Sequence, residues 1–270
     1  MKKLLTSMTG LAMAFVLASC FEFETEITVN KDGSGTITEE TVFGEQMIGM
    51  LEMAAAQGGG GAGKNPLADL KDETKAKAKA AAYGEGVTFD KIEEVKRNGG
   101  KGIRITYKFT DINKVTFNPS GALGDMAPGS KAVERVKEEE ARFQFADGKL
   151  TIILPDLDEG PESGEEASGG GNDLDPNNPE TAMMLEMFRG MKVSAKVTVA
   201  PEIAETNATH RDGNTVTLFE MNFDEIMKNP DGMKSLQKLD MKDRAKAADA
   251  LTKVKGVKAE TKEKVTISIK

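Results

Sequence analysis

Tryptophan is absent from the 270 residues, and tyrosine occurs only twice. Few aromatic side chains are therefore available to stack on bases or sugar rings, which disfavours nucleic-acid and carbohydrate binding. Histidine occurs once, at His210, so a zinc site built on several imidazoles is excluded. Cysteine also occurs once, at Cys20. No disulfide can form within the chain, and stability must come from packing.

Long apolar runs and an excess of positive charge are also missing. The apolar stretch at 4–17 is interrupted by hydroxyl side chains such as Thr6 and Thr9, and it is shorter than the ~20 residues that cross a bilayer. Acids outnumber bases by 44 to 36, which gives a formal charge of −8. Such a chain repels phosphates, so no nucleic-acid partner is expected.

The first twenty residues have the composition of a secretory signal. Lys2 and Lys3 form a basic start, the apolar stretch follows, and small residues lead to Cys20. The segment Leu17–Cys20 resembles a bacterial lipobox. The resemblance implies that residues 1–19 are removed as a signal peptide and that the Cys20 sulfur is diacylated. Their removal takes away two lysines and no acid, so the formal charge becomes −10.

An acylated Cys20 would place the protein in the bacterial cell envelope. One acyl chain such as palmitate binds a membrane only marginally, whereas two or three chains hold a protein there. In the enterobacterial sorting pattern, an Asp after the cysteine favours retention at the inner membrane. Phe21 stands there instead, so the outer membrane is the expected location.

Period-two alternation and turn residues recur along the mature chain. Phe21–Val29 alternates apolar with mostly acidic residues, as a half-buried strand does. Asn30–Gly35 supplies turn residues, and Asp147-Gly148 is a typical two-residue hairpin turn. Further hairpins are predicted over Val87–Phe109 and over Val257–Lys270. Other stretches, such as Phe43–Gln57, have helical spacing. The predicted fold class is α+β, an antiparallel sheet of hairpins with helices packed on one face.

Residues 20–270 are predicted to form a single α+β domain with two interruptions. A glycine-rich segment at about 57–64 has the composition of a flexible linker. Residues at about 156–179 carry many acids and no bases, with several glycines and prolines. This composition predicts a mobile, disordered acidic loop. A solvated spacer is the favoured interpretation of that loop, and a weak calcium trap is the alternative.

Two short motifs match functional loops only in part. The stretch from Asn30 resembles the start of a calcium loop, but Thr41 stands where the closing glutamate belongs. Gly58–Lys64 has the spacing of a phosphate loop, but Asn65 replaces the hydroxyl residue that holds magnesium. A hairpin turn and a linker are the better interpretations. No metal site, cofactor or catalytic residue is predicted.

Methionines on two helical stripes provide the only indication of binding. Methionine is flexible and polarizable, so methionine-rich surfaces often accept varied apolar ligands or partners. The alternative is that both stripes pack into the core, as apolar helical stripes normally do. The candidate contact residues are Met47, Met50, Met53, Met183, Met184 and Met187.

Two segments carry a family resemblance. One is the hairpin Ile27–Thr38 with its Asp32–Gly35 turn, shortly after the lipobox cysteine. The other is Val197–Phe219, which passes through Asp212-Gly213 into Val216. Together they are similar to uncharacterised bacterial lipoproteins, and distantly to the LppM-type lipoprotein domain. The resemblance implies an envelope-exposed, non-enzymatic α+β domain.

These features predict a lipid-anchored envelope lipoprotein that binds an apolar ligand, such as a lipid, or an envelope protein. It is not expected to be an enzyme. One alternative is a structural or spacer lipoprotein without a small ligand. A hydrolase that uses a pair of carboxylates is a more remote alternative, because such pairs usually lie in aromatic-lined clefts.

Overall fold

The computed structural model describes residues 21–56, 70–97, 99–119, 140–155, 189–200, 202–229 and 252–270, together with 246 and 250. The predicted linker at about 57–64 and the predicted acidic loop at about 156–179 lie outside these residues. The signal peptide, Cys20 and the second methionine stripe also lie outside them.

Most of the described residues are in strands. The strands are β1 Phe21–Val29, β2 Gly35–Phe43, β3 Thr88–Arg97, β4 Gly100–Phe109, β5 Thr116–Phe117, β6 Ala141–Ala146, β7 Lys149–Ile153, β8 Met191–Val199, β9 Ile203–Thr206, β10 Arg211–Asp212, β11 Thr215–Asn222, β12 Val257–Ala259 and β13 Lys264–Ile269. The described helices are α1 Glu45–Ala56, α2 Glu73–Ala80 and α3 Phe223–Met227. Two 3₁₀ turns lie at Ala81–Tyr83 and Ile112–Lys114.

The strands form two sheets. The larger has the order β10-β11-β8-β1-β2-β4-β3, with β12 also pairing with β11. It is a mixed sheet, because β1 and β8 are parallel while its other pairs are antiparallel. The smaller sheet has the antiparallel order β5-β6-β7-β13-β9. One hydrophobic cluster joins side chains from both, including Ile27 and Val197 from the larger and Ile152 and Ile267 from the smaller.

Alternation along the strands gives the larger sheet one apolar and one polar face. On β1, Ile27 and Val29 are fully buried in the core, whereas Glu24 and Glu26 point to the opposite face. The neighbouring strands match this pattern, since Glu24 lies opposite Glu40 of β2 and Ser194 of β8. The polar face therefore runs across adjacent strands.

The predicted fold class is wrong. Strands account for 54% and helices for 19% of the described structure, which is therefore mainly β. The described helices are short and do not form a layer on a sheet face. The predicted all-antiparallel pairing is also wrong, because β1 and β8 are parallel. These strands lie far apart in the chain, and local patterns carry no information on such pairing.

The hairpins β1–β2, β3–β4 and β6–β7 are confirmed. The predicted hairpin over Val257–Lys270 is wrong: β12 pairs with β11, and β13 lies between β7 and β9. The strands β12 and β13 both pair with strands from other parts of the chain. The short turn between them therefore does not determine how they pair.

Several chain segments meet at one end of the larger sheet, which we call the Phe21 end. Phe21 begins β1, Phe43 ends β2 opposite it, and Met191 begins β8 beside it. The turn between β3 and β4 lies at the same end, since Lys101 is opposite Phe43. Helix α1 comes directly after β2, so it also starts at the Phe21 end.

Candidate functional site

A pocket lies between helix α2 and the apolar face of the larger sheet. Its volume is about 160 Å³. Most of its walls are apolar, and its polar lining is confined to a few side chains. The lining residues are Phe23, Glu39, Thr41, Leu70, Asp72, Lys75, Ala76, Lys79, Ile103, Ile105 and Tyr107.

Helix α2 forms one wall of the pocket. Its sequence provides a capping residue at its N-terminus and small residues on the side that faces the sheet. The Asp72 carboxylate accepts hydrogen bonds from the backbone N–H groups of Thr74 (2.9 Å) and Lys75 (3.3 Å), which caps the helix. These bonds, the one from Lys75 first, lower the pKa of Asp72 against the opposing effect of desolvation. Ala76 and Ala80 are the buried residues of α2. Their spacing of one turn directs the small-residue stripe of the helix toward the sheet.

The chain after α2 packs closely against the smaller sheet, next to β5. The turn Ala81–Tyr83 ends at Gly84, whose φ is +123° and which bridges Val115. A Cβ at Gly84 would lie 1.9 Å from the carbonyl oxygen of Lys114. Only glycine fits there. This contact fixes Tyr83, which is 3% exposed.

A buried carboxylate, Glu39, forms the polar end of the pocket. Glu39 is 5% exposed although it lies on the apolar face of β2. Its carboxylate accepts hydrogen bonds from the hydroxyl groups of Tyr83 and Tyr107, the latter at 3.3 Å. The Lys79 ammonium lies 2.5 Å from it. Burying a charge is costly unless it is paired and hydrogen-bonded, and these three donors meet that requirement.

The two tyrosines of the sequence therefore meet at one carboxylate. Their rings are 5.3 Å apart and tilted by 51°, a favourable arrangement for an aromatic pair. Tyr107 is fully buried on β4. Together with Glu39 and Lys79 they form a polar cluster, which we call the Glu39 cluster. Three of its members, Glu39, Lys79 and Tyr107, line the mostly apolar pocket.

The polar face of the larger sheet carries a second group of charges. Glu40 is 6% exposed and lies between Arg104, at 2.5 and 2.9 Å, and Arg97, at 3.2 Å. Beside it lies a shallow groove of about 330 Å³. The groove is lined by Glu24, Glu26, Thr38, Glu40 and Arg104.

The carboxylates along this groove are engaged by neighbouring groups. Glu24 pairs with Lys196 and accepts a hydrogen bond from Ser194 at 3.1 Å, and Glu26 accepts one from Thr198 at 2.6 Å. Burial raises the pKa of Glu24, but the bonds and charges of Lys196 and Ser194 outweigh it and lower the pKa overall. A carboxyl group with a lowered pKa is ionised at neutral pH, which does not suit a general acid.

The predicted contact methionines are only partly described. Met47 is half-buried on α1, and Met53 is 64% exposed. The side chain of Met50 lies outside the described residues, as do Met183, Met184, Met187 and the lipidation residue Cys20. Neither Met47 nor Met53 lines the pocket under α2.

The Glu39 cluster is not among the sites predicted from the sequence. A signal is present, because alternation places Glu39 on the same face as Ile37 and would bury its carboxylate beside apolar neighbours. An isolated acid at a core position requires partners. Those partners come from α2, the turn after it and β4, and the sequence pattern does not show that these elements meet.

Two general properties hold for the described residues. None of their helices is both long enough and apolar enough to span a bilayer. Within the same part of the chain, no group of three or more histidine, cysteine, aspartate and glutamate side chains is arranged to hold a metal ion.

Comparison with known proteins adds a distant structural likeness. The chain matches no protein-family model and no curated protein. It is similar to the NMR structure of the folded domain of LppM from Mycobacterium tuberculosis, with a TM-score of 0.30 and 10% sequence identity. The match covers 76% of this chain and 84% of that one. The resemblance to LppM-type domains is thus confirmed as a distant structural likeness, which establishes neither a family nor a function.

Proposed function

We propose that this protein is a lipid-anchored lipoprotein of the bacterial cell envelope that binds an apolar group without catalysing a reaction. The observation that carries the proposal is the pocket under α2, whose walls are mostly apolar and whose lining includes Glu39, Lys79 and Tyr107 of the Glu39 cluster. Pockets of this kind, with apolar walls and a few convergent polar groups, are typical of ligand sites.

The size of the pocket limits what enters it. Its volume of about 160 Å³ is below the ~300–1,000 Å³ of sites that enclose a whole drug-sized ligand. A dry apolar cavity of roughly 150 Å³ holds a single benzene ring. The pocket therefore takes one end of a larger molecule, such as the last segment of an acyl chain.

The source of such a chain is suggested by the position of Phe23. Phe23 lines the pocket and is three residues after Cys20 in the sequence, which is at most ~10 Å of extended chain. A cysteine that carries acyl chains would hold the pocket beside a bilayer. Lys75 and Lys79 line the pocket together with Glu39 and Asp72, so the charges of the lining balance and the apolar walls provide the attraction for the chain.

The three alanines of α2 provide a matched test. Ala76 lines the pocket, whereas Ala78 is exposed on the same helix. Ala76→Leu fills part of the cavity, and Ala78→Leu adds the same group to the solvent side. Native mass spectrometry of the mature protein released from membranes should show bound lipid for the wild type and for Ala78→Leu. The fraction of protein with bound lipid should be at least tenfold lower for Ala76→Leu. Equal occupancy in all three, or none in the wild type, would contradict lipid binding in this pocket.

The anchor itself is tested separately. Intact mass measurement of the mature protein should show chain 20–270 with added acyl groups, and Cys20→Ser should abolish both processing and acylation. Fractionation on a density gradient should then place the wild type with the outer membrane. Recovery with the inner membrane would contradict that location while leaving the anchor intact.

A further inference from the structure

The Phe21 end of the larger sheet gathers apolar side chains that the fold leaves partly uncovered. The rings of Phe21 and Phe43 are 5.3 Å apart, and both are half-buried at the ends of paired strands. Phe21 is the residue immediately after Cys20 in the sequence. Any lipid on Cys20 is therefore attached one residue away from this aromatic pair.

Helix α1 extends the apolar character of this end. It begins two residues after Phe43 and contacts β4. Ile48 is 8% exposed and holds one side of the helix against the protein. On the rest of the described helix, Met47 is half-buried and Met53 is 64% exposed. Helices that lie in a membrane interface bury an apolar face in the head-group region, and flexible methionine side chains adapt well to such a surface.

Basic side chains lie next to this apolar patch although the mature chain is acidic. Lys96 and Lys101 are exposed beside the β3–β4 turn, and Arg189 is exposed just before β8. The acids at this end are Glu22, which pairs with Arg97, Asp224, which accepts a hydrogen bond from the backbone N–H of Gly190, and Glu225, which pairs with Lys228 and Lys255. Glu45 and Glu52 on α1 are exposed there as well. Basic residues around an apolar patch are complementary to anionic lipid head groups.

We propose that the Phe21 end is a membrane-contacting surface, on which α1 lies in the head-group region of the bilayer and Lys96 and Lys101 contact anionic lipids. The inference rests on the proposed acyl anchor at Cys20. A bilayer is the partner that these features fit, because Phe21, which follows the acylation site in the sequence, the apolar patch and the basic residues all lie at one end of one sheet. The opposite end, with the β1–β2 turn at Lys31, is directed away from the membrane.

The absence of further cysteines allows a direct test. In the acylated protein the Cys20 sulfur is blocked, so a thiol introduced by Met53→Cys is the single labelling site. An environment-sensitive fluorophore is attached there, and the protein is reconstituted into vesicles of phosphatidylcholine and phosphatidylglycerol. The control is Lys31→Cys, an exposed position at the other end of β1.

We expect the fluorophore at position 53 to shift to shorter wavelength and to be quenched by brominated lipids, with quenching severalfold stronger than at position 31. Adding Lys96→Glu and Lys101→Glu should reduce the quenching in anionic vesicles and leave it unchanged in vesicles of phosphatidylcholine alone. If positions 53 and 31 report equally polar surroundings while the protein stays on the vesicles, the inference is overturned and the anchor stands. If the wild type takes up label, Cys20 is not acylated, and both the anchor and this inference fail.

Discussion

A leucine series along helix α2 tests whether the pocket is an open cavity. The three substitutions place the same isobutyl side chain in a cavity at position 76, in solvent at position 78 and in packed core at position 80. Ala76 and Ala80 are both almost fully buried, at 4% and 3% exposure, but only Ala76 lines the pocket. Burial alone would predict the same outcome for both, whereas the cavity predicts opposite outcomes.

The expected magnitudes depend on the local packing. At Ala76 the added group corresponds to about three methylenes, and burial at ~0.8 kcal/mol each contributes roughly 2 kcal/mol. Fixing the leucine rotamer costs about 0.5–1 kcal/mol, so the free energy of unfolding should rise by about 1–2 kcal/mol. At Ala80 the added group has no space, and overpacking should lower that free energy by about 1–3 kcal/mol. At Ala78 the change should stay within about 0.5 kcal/mol.

Urea denaturation followed by circular dichroism measures all three changes. For a chain of this size, 1 kcal/mol corresponds to roughly 2–4 °C in Tm, so thermal unfolding provides a second readout. A loss of stability in Ala76→Leu as large as that in Ala80→Leu would refute the open cavity, because the pocket would then have no room for the added group.

Three further predictions concern single side chains. Glu39→Gln should lower the free energy of unfolding by about 1–3 kcal/mol, because the Lys79 ion pair is lost and the buried hydroxyl groups of Tyr83 and Tyr107 are left with a weaker acceptor; urea denaturation measures the loss. Burial raises the pKa of Glu260, but hydrogen bonds from Thr209 and Lys262 outweigh it and hold the pKa below its ordinary value of 4.5. The stabilisation from the ionised carboxylate is therefore complete above pH 4.5 and is lost as the pH falls through the lowered pKa, so the stability gap between the wild type and Glu260→Gln should narrow in acid. Cys20→Ser should accumulate as the longer, unprocessed chain that keeps residues 1–19, as immunoblotting of cell extracts would show.

Matched controls exist for the two glutamates. Glu94→Gln removes an exposed carboxylate that pairs with Lys71, and it should change stability by less than about 0.5 kcal/mol because exposed pairs contribute little. Glu263 is 71% exposed in its side chain, so Glu263→Gln should leave the acid limb of the stability curve unchanged. A gap between the wild type and Glu260→Gln that stays constant from neutral pH into acid would contradict the assignment.

The local parts of the fold could be predicted from the sequence. The Asp32–Gly35 turn and the Asp147-Gly148 turn each join two alternating segments, and both hairpins form as expected. A turn of this kind determines the pairing of its flanking strands because the chain has no other short route. Met221 and Val257, by contrast, pair across a long segment of chain. The sequence pattern near Val257 predicts a hairpin with the last strand, which does not form.

The candidate site combines predictable and unpredictable parts. Glu39 could have been recognised as an acid on a core-facing row, and the rarity of tyrosine could have drawn attention to Tyr83 and Tyr107. The cavity could not have been predicted from the sequence, since it depends on how closely Ala76 of α2 approaches Ile103 and Ile105 of β4. Packing gaps arise from such three-dimensional distances, and no residue type or spacing encodes them.

The adjacent glutamates Glu39 and Glu40 on β2 have different surroundings on the two faces of the larger sheet. Glu40 lies on the polar face, where its carboxylate forms ion pairs with Arg97 and Arg104. Glu39 faces the pocket on the other side, where it is paired with Lys79 and Tyr107 and where most of the remaining lining is apolar. The cavity wall continues to Phe23, two residues from the Phe21–Phe43 pair. If the Phe21 end contacts the bilayer, an acyl chain would pass from lipid into the pocket along apolar side chains, without crossing water. Placing a charge at Phe23, as in Phe23→Asp, should therefore slow lipid uptake even where the cavity itself stays open.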